Sequence, residues 1–124
     1  MNGAVRIRRR IGSFLFRFYP PEVLQKLADG WADDRRWLDA LKTYTLAEQK
    51  YTARAGRTDP FSVGMRARRA WCLVMIGKPT EGAELYRTAL DAKRLSGDSV
   101  PPTAAMLEER LAEAQAISGT STHA

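Results

Sequence analysis

Residues 77–90 read GKPTEGAELYRTAL. Gly77-Lys78-Pro79 is a tight stop between two helices, since proline lacks only an N–H that the first turn of a helix leaves unpaired anyway. Thr80 offers a hydroxyl as an N-cap, and Ala83, Tyr86, Ala89 and Leu90 then fall on one helical face. The same pattern recurs elsewhere in diluted form. With a shift of 42 residues, Tyr44 falls on Tyr86, Ala47 on Ala89, Ala28 on Ala70, Ala70 on Ala112, Pro60 on Pro102 and Gly77 on Gly119, while Ala40 falls on Gly82. Overall identity between the copies is low. The matches are small residues, one tyrosine and turn residues, which stacked helix pairs need at close approaches, plugs and corners.

Outward from this stretch, apolar residues recur at helical steps and no segment alternates as a strand would. The periodicity predicts helices over about 5–18, 21–33, 37–55, 60–76, 80–96 and 103–117, with Pro20-Pro21 and Pro60 as boundaries and Thr103 as a further N-cap. Met65, Trp71, Cys72, Met75 and Ile76 mark the apolar face of the fourth helix. The chain divides into a basic amphipathic arm (1–19), a helical repeat domain (20–118) and a frayed tail (119–124).

The repeat resembles the tetratricopeptide family. Leu24, Leu27-Ala28 and Trp31, followed by Ala40, Tyr44 and Ala47, fit its spacing, and Ala70, Leu73, Gly82, Tyr86 and Ala89 keep it in a second unit. A third unit supplies only a first helix, with Leu111-Ala112. The 42-residue period is longer than the commonest one of this type, about 34. Arg66 and Arg69 depart from the pattern, standing where it wants large apolar residues, so their helix is expected to be rotated or solvent-facing. The resemblance implies an all-α fold of about six helices, a right-handed stack of antiparallel pairs. It also implies a concave groove lined by the first helices of successive units. That places Glu22, Gln25, Asp29 and Asp33, then Ala67, Trp71, Val74 and Met75, then Glu109, Glu113 and Ile117 around a bound peptide or partner helix. Such a groove would be acidic at its ends and apolar in its middle, suited to a basic amphipathic segment; the alternative is that Trp71 and Met75 are ordinary core.

Composition narrows the chemistry. One cysteine, Cys72, and one histidine, His123, among 124 residues exclude an internal disulfide framework and cysteine-rich zinc sites and remove most hydrolase triads, Cys-His nucleophile pairs and His-based metal sites. The acid pairs Asp33-Asp34 and Glu108-Glu109 read as helix-surface and corner residues. No glycine-rich phosphate cradle is present, so neither enzyme activity nor a cofactor, metal or small-molecule substrate is expected. The net charge of +6 is uneven. Residues 1–19 carry +5 and residues 50–78 carry +6, against −2 and −3 in the remaining two stretches.

Arg6, Arg8, Arg9 and Arg10 stand beside the apolar positions Ile11, Phe14, Leu15 and Phe18 in the arm. This arm has several outlets: packing on the repeats, self-association, an anionic membrane surface, or phosphates. A second basic cluster, Arg54, Arg57, Arg66, Arg68 and Arg69, reads either as a solvated helix face or as a nucleic-acid contact. No apolar run reaches the roughly 20 residues that a membrane span needs. The expectation is a cytoplasmic, non-enzymatic adaptor or assembly subunit that binds a protein partner. The alternatives are a nucleic-acid-associated protein and a peripheral membrane protein held by the arm.

Overall fold

The computed structural model describes residues 16–123, and side chains as far as residue 119. A single 3-10 turn, Phe16–Phe18, precedes five helices: α1 (Pro21–Asp33), α2 (Trp37–Ala55), α3 (Pro60–Met75), α4 (Pro79–Ser96) and α5 (Ala104–His123). Among the described residues there is no strand. The close helix–helix approaches are α1 with α2, α2 with α3, α3 with α4 and α4 with α5. Each helix therefore packs mainly on its neighbours in sequence.

Residues 42 apart occupy matching environments. Tyr44 and Tyr86 are both buried, Ala47 and Ala89 are both fully covered, and so are Ala28 and Ala70. Ala112, the third member of that series, is exposed, because no helix follows α5 among the described residues to cover it. The corners match as well. The α1–α2 corner places Arg35 in the left-handed region (φ 59°), and the α3–α4 corner places Gly77 there (φ 87°). In each the next N–H reaches back to close the helix end: Arg36 N to Trp31 O at 2.8 Å, and Lys78 N to Leu73 O at 2.8 Å.

Two cores form on either side of α3. Met65 and Cys72 of α3 face Leu24 and Ala28 of α1 and Ala40, Tyr44, Ala47 and Tyr51 of α2. Val63, Ala70 and Val74 of the same helix face Ala83, Tyr86, Ala89 and Leu90 of α4 and Leu107 and Ala114 of α5. The seven-residue step from 65 to 72 and the steps of seven and four from 63 to 74 put the two sets on different sides of one helix. Gly82 brings α4 close to α3: a methyl group there would lie 2.8 Å from both the Ala70 carbonyl oxygen and Val74 Cγ2.

Caps and clasps fix the ends. The Asp59 carboxylate accepts from Phe61 N at 3.0 Å, capping α3 ahead of Pro60. Thr103 Oγ1 accepts from Met106 N at 3.2 Å, as expected of an N-cap. Lys93, 1% exposed, donates to Asp98 Oδ1 and to Val100 O, both at 2.8 Å, and ties the 97–102 loop to α4.

Several expectations need correction. Thr80 does not cap α4. Pro79 occupies the first turn and Lys78 the cap position, with no capping side chain. The Thr80 hydroxyl instead meets Ser118 Oγ at 2.6 Å. That contact lies one residue beyond the 103–117 span expected for the last helix, and α5 continues to His123, where a frayed tail from 119 is expected. Of the arm, Arg6, Arg8, Arg9, Arg10, Ile11, Phe14 and Leu15 lie outside the described residues. Residues 16–18 form a 3-10 turn where a continuous helix is expected, Phe16 packs against the first core, and Phe18 is 65% exposed. Lys50 Nζ donates to Tyr19 O at 2.6 Å and also to Arg17 O, satisfying the carbonyls of this turn.

Candidate functional site

A cavity of about 430 Å³ is bounded chiefly by α1, α3 and α5. Gln25 and Ala32 come from α1, Ala67 and Trp71 from α3, and Met106 and Arg110 from α5. Trp37, Tyr44 and Tyr86 reach in from the second helices, and Pro101 and Pro102 close one side. Phe61 and Met106, 59% and 49% exposed, are the large hydrophobic side chains of its lining that stand open to solvent. A cavity of this size, apolar with a few polar groups, falls in the range of ligand and peptide pockets.

Its charged members are arginines, each held by one acid. Arg68 Nε lies 3.6 Å from Asp29, and the same carboxylate accepts from the Tyr44 hydroxyl. Burial, then that bond to Asp29, raises the Tyr44 pKa far above the ordinary phenol value. Arg110 lies 5.1 Å from the Trp71 ring centroid and donates to Glu113 at 3.2 Å. A guanidinium over an indole face adds cation–π attraction, and the acid keeps the local charge balanced.

The positions expected in the groove therefore separate. Ala67 and Trp71 line it, and Asp29 and Glu113 orient the arginines at its edge. Val74 belongs to the second core, and Met75 is 42% exposed and lies outside the cavity lining. Asp33 and Glu109 are exposed and do not line it either. Acidic ends are thus not found: the charged side chains that line the groove are Arg68 and Arg110. The groove positions implied by the resemblance left out Trp37, Phe61 and Met106, although their large apolar side chains near helix starts were a visible signal.

The basic cluster does not form one patch. Arg54 is paired with Glu22 on α1. That bond holds the Glu22 carboxyl below the usual carboxylate range. Arg68 belongs to the groove. Arg66 and Arg69 share Glu48 of α2, at 3.1 Å and 2.6 Å, on a different side of α3. Arg66 is only 3% exposed, which corrects the expectation of a solvent-facing side chain. Its aliphatic stem fills space between helices, and its head group is held by Glu48 and by the Arg57 carbonyl at 3.3 Å.

Burial pushes the Cys72 thiol up to about 11, so it is protonated at neutral pH and a poor nucleophile. Among the described residues no three His, Cys, Asp or Glu side chains gather as a metal site would require, and no helix is long and apolar enough to cross a membrane. Compared with protein-family models, characterised proteins and solved structures, the chain matches none.

Proposed function

We propose that the chain is a non-enzymatic protein-binding module, an adaptor or assembly subunit, built as two tetratricopeptide-like units (α1–α2 and α3–α4) and a closing helix, α5. The observation that carries this reading is the aromatic groove along α1, α3 and α5. Support for the repeat comes from packing that is mainly between helices adjacent in sequence and from the matching burial of Tyr44 with Tyr86 and Ala47 with Ala89. In such a stack each unit covers its neighbour's apolar face, so an open face is available for a partner.

The partner is a short apolar segment of another protein. Trp71, Phe61 and Met106 supply area with little rotamer freedom to lose at the aromatic positions, and the paired arginines leave the rim close to neutral. A basic segment is not favoured, because the acids nearest the wall, Asp29 and Glu113, are already engaged by Arg68 and Arg110. No observation favours the nucleic-acid reading, since Arg54 and Arg68 are each paired with an acid of α1 and lie apart from Arg57, Arg66 and Arg69, so the arginines make no continuous basic surface.

The test is selection of binders from a random-peptide display library with the full chain, followed by titration of the selected peptides. They are expected to share an apolar anchor and to bind roughly tenfold or more weakly to Met106→Glu, the loss typical of a central contact. Met106 is half exposed, so the substitution spares the core. Selected peptides that bind Met106→Glu as well as the parent protein would overturn the groove assignment.

A further inference from the structure

On a different side of α3 from the groove lies a second cavity, about 290 Å³, lined by Glu48, Thr52, Arg57, Arg66, Arg69, Leu85 and Thr88. It is bounded by α2, α3, α4 and the loop between α2 and α3. Its lining carries three guanidinium groups and one carboxylate, a balance of +2. The single acid is fully engaged: Glu48 Oε2 accepts from Arg66 Nε and Oε1 from Arg69 Nη1. Two guanidinium nitrogens, Arg66 Nη1 and Arg69 Nε, are buried with no hydrogen-bond partner. A buried donor left without an acceptor carries its full desolvation cost, more so when charged.

We propose that this cleft binds a phosphate-class dianion, held by Arg57, Arg66 and Arg69. The charge fits: a dianion brings −2 to a lining of +2. The donor chemistry fits too, because guanidinium N–H groups form strong charge-assisted bonds to tetrahedral oxyanions. Arg57 is exposed and forms the outer wall, while Arg66 is buried, so the site is open at its mouth and closed at its floor. Burial, opposed by Glu48 and reinforced by the repulsion of Arg57 and Arg69, lowers the Arg66 pKa, as expected for a cation short of counter-charge. The cavity is at the small end of ligand sites, which suits inorganic phosphate or a small phosphate monoester. This site is independent of the peptide groove.

The test titrates inorganic phosphate and glycerol phosphate separately into the full chain, at constant ionic strength made up with chloride, reading thermal stability and calorimetric binding. Saturable stabilisation beyond chloride is expected. Tighter binding of inorganic phosphate assigns the free ion, and tighter binding of glycerol phosphate assigns an organic monoester. Arg57→Gln, an exposed change, should bind roughly tenfold more weakly, the loss of one charge-assisted bond, with unchanged helical circular dichroism. Glu48→Gln should be destabilised in chloride and recover more melting temperature on adding phosphate than the parent does. Stabilisation equal to that by chloride, or equal phosphate affinity in the parent and Arg57→Gln, would overturn the proposal.

Discussion

The groove and the cleft share α3 and both contain arginines, yet their charges are balanced differently. In the groove each guanidinium has its own acid, Arg68 with Asp29 and Arg110 with Glu113, and all four side chains are about half exposed. In the cleft Arg66 and Arg69 share one carboxylate, and Arg66 is buried. Partnered, solvated arginines leave an apolar surface free of strong field, whereas a buried surplus of cations draws counter-charge. The contrast teaches that an arginine count, or even a local cluster such as 66–69, says little until each head group has been matched to its acid.

The largest expected effect comes from removing the shared acid. Glu48→Gln leaves Arg66 buried without its partner and should cost about 3–5 kcal/mol, measured by urea unfolding in chloride buffer. A loss near zero would mean that the cleft is solvated like the groove. Next come changes to the packed walls on either side of α3. Ala47→Leu overfills the α2 contact, and Gly82→Ala drives a methyl against the Ala70 carbonyl. Each should cost roughly 1–3 kcal/mol by the same assay. An unchanged urea midpoint in either would argue against close approach at these positions. The smallest effect belongs to the groove. Glu113→Gln breaks an exposed pair and should change stability by about 1 kcal/mol or less. A loss there as large as that of Glu48→Gln would erase the distinction between the two faces.

The helices were largely legible in the sequence because proline, glycine and the 3.6-residue apolar step all agreed. Pro21, Pro60 and Gly77 stand where α1, α3 and the α3–α4 corner begin or turn. The 42-residue shift picked out residues whose burial matches, notably Tyr44 with Tyr86. The α1–α2 corner was harder. Arg35 fills the left-handed position that Gly77 fills 42 residues later, so the equivalence is written in the backbone and not in the residue type. Ala40 and Gly82 show the reverse: both read as small, but only the close approach of α4 to Ala70 explains why one of them is glycine.

Periodicity by itself determined that the described chain is helical, where its helices begin, and which alanines and tyrosines lie inside, since these follow from local steric and patterning rules. Tertiary structure decided the site. Val74 and Met75 are adjacent to the groove-lining face in sequence, but a helix advances about 100° per residue, so one is turned into the core and the other to solvent. Arg66, Arg68 and Arg69 are neighbours along the chain yet find acids on two different helices, Glu48 of α2 and Asp29 of α1. Which charges cancel depends on distances across helices, and those arise only when the two cores pack against α3.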